Sequence, residues 1–167
     1  MKKWMILGML ILATVFNNSA MAQEGRNVSE YNLNEQGVGF IDGNSRIAEG
    51  FDPVSVFPEG GSQVQKGKND FAVMHKGVEY LFANAQNMKS FLANPEKFEP
   101  TYGGWCARAM VVGQKVHINT KLFTVVGNRS FFFVNTRAKN YFDRNILENA
   151  KLADDYWKQI SGESPRL

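Results

Sequence analysis

The chain of 167 residues contains a single cysteine, Cys106, and only two histidines, His75 and His117. One cysteine cannot form an internal disulfide, and the chain has no CxxC pair of the kind that supplies soft ligands to zinc or copper. The formal net charge is only +3, and Lys and Arg form no cluster along the chain. We therefore exclude a disulfide-stapled scaffold and expect no nucleic-acid partner.

The chain also lacks an apolar run long enough to cross a bilayer, which needs about 20 residues. Its longest apolar run extends from Trp4 to Phe16, follows Lys2 and Lys3, and precedes Ala20-Met21-Ala22. A positive start, a short apolar segment and a small-residue pattern are typical of a signal peptide. We predict cleavage after Ala22, a periplasmic or secreted protein, and no stable membrane insertion after cleavage. An uncleaved membrane anchor is the alternative.

Polar residues and glycines dominate residues 23–47, which we interpret as a flexible lead-in with a short extended piece at 38–41. Residues 48–161 are expected to form one domain, for whose core the chain offers 13 phenylalanines. Residues 162–167 are interpreted as a tail. The sequence shows no internal repeat.

Apolar alternation predicts two β-hairpins, at about residues 71–82 and 122–134, each with a glycine in its turn. Asn84 precedes one helical pattern and Asn135 another, where an asparagine side chain can cap the helix (Thr136 being the alternative to Asn135). Helices are predicted at 85–93, at 104–112 and at 136–160, the last as one helix or as two joined near Asp143. The predicted fold class is α+β, a small antiparallel sheet of two hairpins packed by short helices and a long C-terminal helix.

Asp52 precedes Pro53 in the stretch Gly50 to Phe57. An aspartate before a proline commonly starts a helical turn, because its carboxylate accepts an otherwise unpaired N–H and proline suits the first helical position. We interpret Asp52 as such a cap. The alternative is a metal ligand or an acid–base group.

Cys106 follows a Gly-Gly pair in the stretch Tyr102 to Ala107. The helix predicted at 104–112 would place its thiol in a first turn, where the helix macrodipole and the nearby Arg108 favour the thiolate. The alternative is a small buried apolar side chain packed under Trp105, since free cysteines are among the most buried residues. The candidate ligand-binding residues are Cys106, Asp52, Trp105 and Tyr102.

A mixed metal site is a further hypothesis, with a transition metal such as copper or zinc as its cofactor. The spacings of its candidate ligands match no metal-binding signature, and two such histidines are equally compatible with ordinary, partly exposed positions. The candidate metal ligands are Cys106, His75, His117 and Asp52.

Four separated motifs follow one another in a recognisable order: Gly50 to Phe57, the hairpin Phe71 to Phe82, the segment Phe91 to Phe98, and Tyr102 to Ala107. In this order they resemble the YHS domain family, and more closely its stand-alone exported bacterial proteins, over about residues 48–160. Relatives of the domain occur beside heavy-metal transport ATPases, and the resemblance therefore implies metal binding. In those metal-associated versions a cysteine opens the domain, whereas Asp52 stands at that position here.

Three functions remain open from the sequence. The first is an exported, non-enzymatic binding module that holds a transition metal or a small ligand near Cys106. The second is a thiol-dependent enzyme or redox protein that uses Cys106, although no oxyanion-hole motif or nucleophile elbow accompanies it. The third is a structural or partner-binding domain without a small ligand.

Overall fold

The structure is a computed structural model that describes residues 26–41 and 50–166, so the predicted signal peptide at residues 1–22 lies outside the described part. The predicted α+β class is confirmed. The strands are β1 (Lys68–His75), β2 (Val78–Phe82), β3 (Asn119–Val126) and β4 (Arg129–Phe133). The helices are α1 (Ala85–Ala93), α2 (Pro95–Phe98), α3 (Ala107–Met110), α4 (Thr136–Asp143) and α5 (Ile146–Ser161), and 3₁₀ turns lie at Val28–Glu30, Pro58–Gly60 and Thr101–Gly104.

Each hairpin forms its own two-stranded antiparallel sheet, where the sequence had predicted one small sheet. Val38 forms an isolated parallel bridge with Glu79 in β2, and Cys106 forms one with Phe132 in β4. Each hairpin is therefore extended by a short segment from elsewhere in the chain rather than by the other hairpin.

The helical predictions hold best where an asparagine caps the helix. Asn84 accepts a hydrogen bond from the Asn87 N–H at 2.9 Å, and Asn135 accepts one from the Ala138 N–H at 2.8 Å. Of the two forms left open for the last helix, the structure has two helices joined near Asp143, since α4 ends there and α5 begins at Ile146. The helix predicted at 104–112 is shorter, because Gly103 and Gly104 adopt left-handed backbone conformations that α3 cannot include.

The two hairpins have the same register. In the first, Lys68 pairs with Phe82 and a bulge then shifts the pairing toward the turn. In the second, Asn119 pairs with Phe133 and the same shift follows. Every partner pair of β1 and β2 thus has a counterpart in β3 and β4 at one constant offset along the chain.

The equivalence continues through the helices that follow. Asn94 and Asn145 each precede a second helix and have nearly equal backbone angles, φ −153° with ψ 73° and φ −149° with ψ 70°. We call residues 50–98 the first unit and residues 104–161 the second unit. Few positions at the constant offset are identical, and this explains why the sequence alone showed no repeat. The identical pairs are Gln63 and Gln114, Phe82 and Phe133, Asn84 and Asn135, Phe91 and Phe142, and Asn94 and Asn145.

Equivalent aromatic residues build the core of both units. Phe91 of α1 has its ring 5.2 Å from that of Tyr80 and 5.0 Å from that of Phe82. Phe142 of α4 lies 5.1 and 5.4 Å from the two β4 phenylalanines at the corresponding positions. All these rings are buried, and the burial of each aromatic side chain contributes roughly 2–3 kcal/mol. Each hairpin is thereby fixed to the helix that follows it.

The segment before the first unit packs onto both units. Tyr31 and Phe40 are buried in the shared core, and the Asn27 N–H donates to the Ser161 carbonyl at 2.8 Å. This segment, residues 26–41, is the described part of the lead-in. It contacts the end of α5, and the Asn32 N–H donates to the Gly103 carbonyl at 2.9 Å.

Candidate functional site

Asp52 uses both carboxylate oxygens inside the first unit. One oxygen accepts from the Val54 N–H at 2.8 Å and from the Ser55 N–H at 3.3 Å, which is the capping geometry predicted for it. The other accepts from the Ala83 N–H at 2.9 Å and from the Asn87 amide at 2.6 Å. Burial raises the pKa of the carboxyl above its usual value, and these hydrogen bonds offset only part of that effect. Asp52 thus joins its turn to the end of β2 and to α1.

Cys106 occupies the corresponding position of the second unit. The Asp52 N–H donates to the Gln65 carbonyl and the Cys106 N–H to the Val116 carbonyl, both at 2.9 Å. Gln65 and Val116 precede β1 and β3 by the same number of residues. The carbonyl of each residue also accepts from the N–H three positions further on, which closes the following turn.

The side chains that surround this position differ between the units. Val134 corresponds to Ala83, and Ala138 corresponds to Asn87, at the constant offset of the hairpins. A thiol therefore replaces the carboxylate of Asp52, and a methyl group replaces the amide that donates to it. The Val134 N–H, which corresponds to the Ala83 N–H, therefore faces a thiol and a methyl group in place of a carboxylate and an amide.

A cavity of about 460 Å³ lies at this position of the second unit. Cys106, Val134 and Ala138 line it, so that it occupies the place where the first unit has its hydrogen-bonded carboxylate. Cys106 itself is only 1% exposed, and the thiol therefore contributes little of the cavity surface. The polar lining residues are Arg108, Gln114, Asn135, Arg137 and Tyr141.

The lining of the cavity is basic. Arg108 and Arg137 contribute two guanidinium groups, and among the described residues no aspartate or glutamate lines the cavity. The Arg108 guanidinium lies 4.1 Å from the centre of the Tyr141 ring, within the range of a cation–π contact. In the described part of the chain, neither arginine forms an ion pair. Among the described residues, no acidic side chain therefore neutralises either charge.

Tyr102 and Trp105 do not line this cavity. Tyr102 is buried, and its hydroxyl donates to Asp154 at 2.9 Å. Trp105 is half-buried, and its Nε1–H donates to the Glu30 carbonyl at 2.6 Å. These contacts hold the Gly-Gly turn against α5 and against the 3₁₀ turn at Val28–Glu30.

The structure places the two histidines among different partners. His75 has its Nε2 atom 3.9 Å from a Glu99 carboxylate oxygen, and burial lowers its pKa below the usual value. His117 is exposed and has its Nδ1 atom 3.1 Å from the Asn32 side-chain oxygen. Among the described residues, no group of three or more His, Cys, Asp and Glu side chains is arranged to hold a metal ion.

Glu99 was assigned no role by the sequence analysis, yet it is buried and receives several charged contacts. Arg26 donates to its two carboxylate oxygens at 2.9 and 2.8 Å, and the Tyr80 hydroxyl donates at 2.9 Å. Arg166 lies 3.5 Å away. Burial alone would raise the pKa of Glu99, but the two arginines more than offset it and hold that pKa below its usual value. No local pattern marks these residues, because Arg26 and Arg166 are distant from Glu99 in sequence.

Sequence reasoning also missed Asn135, Arg137, Ala138 and Tyr141 as lining residues. The signal that could have found them is the recurrence of the hairpin and of its capping asparagine, which aligns Asn135 with Asn84. Comparisons of the chain with protein-family models, with curated proteins and with solved structures each found no match. Among the helices of the described residues, none has the length and apolarity needed to span a membrane.

Proposed function

We propose that this chain is an exported binding module, a stand-alone member of the YHS family, that holds a small ligand in the cavity beside Cys106. The observation that carries the proposal is the difference between the two units at one position. The first unit fills that position with the Asp52 carboxylate, whereas the second leaves a cavity of about 460 Å³. Ligand sites in proteins have volumes of about 300–1,000 Å³, so this cavity has the size of a small-molecule site.

The lining favours a small ligand over catalysis by the thiol. A nucleophilic cysteine needs to reach its substrate, whereas Cys106 is 1% exposed. The histidines that could activate it have other surroundings, with His75 beside Glu99 and His117 beside Asn32. The structure also supports a small ligand better than a bound metal ion. The candidate metal ligands have separate partners, with His75 beside Glu99 and His117 beside Asn32.

The proposal is tested by filling the cavity. Ala138 is half-buried and lines the cavity, so Ala138→Met would occupy part of its volume. We expect a diverse small-molecule library to contain compounds that raise the melting temperature of the wild-type protein and do not raise that of Ala138→Met. Ala93→Met is the matched control, since Ala93 is an exposed alanine on α1 outside the cavity.

Two results would contradict the proposal. In the first, compounds that stabilise the wild-type protein also stabilise Ala138→Met equally, so that they bind elsewhere. In the second, no compound in the library stabilises the wild-type protein, which would favour a structural or partner-binding domain. The proposed export is tested separately, because N-terminal sequencing of the protein from its producing cell should begin at Gln23.

A further inference from the structure

We propose that the ligand of this cavity is a small carboxylate whose charged group takes the position that the Asp52 carboxylate holds in the first unit. This inference rests on the proposed function and adds the chemical class of the ligand. It follows from comparing two equivalent positions of one chain, of which only one contains its own carboxylate.

The first unit shows which contacts such a group makes. The carboxylate of Asp52 receives the Ala83 N–H at 2.9 Å and the Asn87 amide at 2.6 Å while its other oxygen closes the turn. The position therefore lies between a turn, the end of a hairpin and the start of a helix. A carboxylate there stabilises all three, since its charge strengthens each hydrogen bond that it accepts.

The second unit keeps the backbone hydrogen bond of this arrangement but has a thiol where the first unit has its carboxylate. The Val134 N–H corresponds to the Ala83 N–H, but a thiol such as that of Cys106 is a much weaker acceptor than a carboxylate. Replacement of the amide of Asn87 by the methyl group of Ala138 enlarges the space at the same point. An external carboxylate would supply at this point the strong acceptor that the first unit has in Asp52.

The charges around the cavity select an anion. Arg108 and Arg137 line it, and none of the lining residues within 26–41 and 50–166 is acidic. Arginine donors match the geometry of a carboxylate, with which they form paired hydrogen bonds. Asn135 uses its side-chain oxygen to accept from Ala138, so its amide N–H groups remain as further donors. In the first unit, by contrast, the anion belongs to the protein itself.

The volume of the cavity indicates more than a bare carboxylate. Its apolar lining comes from Ala109, Val112 and Val134, together with the ring of Tyr141. These surfaces suit a short aliphatic or aromatic group attached to the carboxylate. Benzoate and hexanoate are therefore suitable probes, and benzamide and hexanamide are their neutral counterparts of nearly equal shape.

The first experiment titrates the purified mature protein with the two acids and the two amides and follows backbone amide signals by NMR. We expect the acids to bind at least about tenfold more tightly than the amides, since a charge-assisted hydrogen bond contributes more than its neutral counterpart. The Val134 amide signal should shift with the acids. Equal binding of acid and amide would overturn the carboxylate inference and leave the proposed function standing.

The second experiment supplies the carboxylate from the protein. The double variant Cys106→Asp with Ala138→Asn reproduces in the second unit the pair formed by Asp52 and Asn87. We expect this variant to lose binding of benzoate and hexanoate, because its own carboxylate occupies the position of the ligand. Undiminished binding of both acids to the folded double variant would overturn the inference.

The third experiment removes one positive charge from the lining and does not depend on the folding of the double variant. Arg137 is exposed, and we expect Arg137→Gln to weaken the binding of both acids at least about fivefold. Arg144→Gln is the matched control, because it removes the same charge from an exposed position on the neighbouring stretch of chain outside the cavity.

The outcomes separate the two proposals. If neither acid binds at millimolar concentration while neutral library compounds bind in a manner that Ala138→Met abolishes, the carboxylate inference fails and the binding module remains. If acids bind but Arg137→Gln and Arg144→Gln weaken them equally, the effect is one of net charge and the inference fails. If no compound of either class binds, both proposals fail.

Discussion

Asp52 and Cys106 occupy equivalent positions in two units of the same local structure. Only Asp52 places a hydrogen-bonded carboxylate at that position. Both residues donate their backbone N–H to a carbonyl at 2.9 Å, and both precede a turn. The carboxylate of Asp52 accepts from Ala83 and Asn87, whereas Cys106 lies beside a cavity. One position stabilises the fold through its carboxylate, and the other borders a cavity.

Replacement of Asp52 should cost far more stability than replacement of Cys106. Asp52→Ala leaves the Ala83 N–H and the Asn87 amide buried without their acceptor, so we expect a loss of about 3 kcal/mol in the free energy of unfolding. Cys106→Ala removes a small buried side chain beside an existing cavity and should cost about 1 kcal/mol. Urea unfolding measures both, with the exposed Asp155→Ala as control. Equal losses for Asp52→Ala and Cys106→Ala would contradict the asymmetry between the units.

Gly103 should tolerate no side chain, for a reason beyond its backbone angle. Its φ is +58°, and an added Cβ would lie 2.7 Å from the Trp157 ring and 3.0 Å from Tyr31. Gly127 has the same φ of +58° but open space around it, which makes it a matched control. We expect Gly103→Ala to lower the free energy of unfolding by about 3 kcal/mol and Gly127→Ala by about 1 kcal/mol. Chemical denaturation measures both variants. Equal losses in the free energy of unfolding for Gly103→Ala and Gly127→Ala would contradict the prediction.

Stability should fall in acid through Glu99. Because the pKa of Glu99 is lower in the folded protein than its usual value of 4.5, its ionised form stabilises the fold above pH 4.5. This contribution is lost as the pH falls from 4.5 through the folded-state pKa. Glu99→Gln should therefore be less stable at pH 7 and should lose less stability than the wild-type protein on acidification below pH 4.5. Melting temperatures between pH 7 and pH 3 test this, and parallel curves for the two proteins would refute it.

His75 should also make the protein less stable as the pH falls, but in a higher pH range than Glu99. Burial lowers its pKa below the usual 6.5, so the unfolded chain binds the proton more readily than the folded protein. The contribution of neutral His75 to the free energy of unfolding is fully present above pH 6.5. It is lost as the pH falls from 6.5 through the folded-state pKa. His75→Gln should flatten the curve of melting temperature against pH just below pH 6.5. His117→Gln serves as the comparison, since His117 is exposed, and an equal flattening in both variants would contradict the prediction.

Alkylation should show that Cys106 is shielded. With the residue 1% exposed, the folded protein should react with iodoacetamide about 100-fold more slowly than the urea-unfolded chain. Ser164→Cys in a Cys106→Ala background provides an exposed thiol for comparison. Similar rates for the native thiol and for the one introduced at position 164 in the folded state would favour the thiol-dependent alternative.

Local patterns in the sequence were sufficient for much of the fold. Alternating apolar residues predicted both hairpins, and the capping asparagines marked the starts of α1 and α4 because a side-chain cap depends only on neighbouring residues. For the last element, the pattern left open one helix or two joined near Asp143, and the structure has two. The length of α3 was overestimated, since the left-handed Gly103 and Gly104 form a turn that the apolar pattern does not reveal.

The sequence by itself determined the α+β class, the positions of most strands and helices, and the capping role of Asp52, because each depends on residues close together in the chain. Only the tertiary structure decided that the chain contains two equivalent units, that Arg26 and Arg166 meet Glu99, and that Cys106 lies at a basic cavity. Those features arise from contacts between distant segments. The two units have the same backbone conformation and hydrogen bonds, but most of their side chains differ. Their equivalence is therefore evident from the backbone hydrogen bonds and not from residue identity.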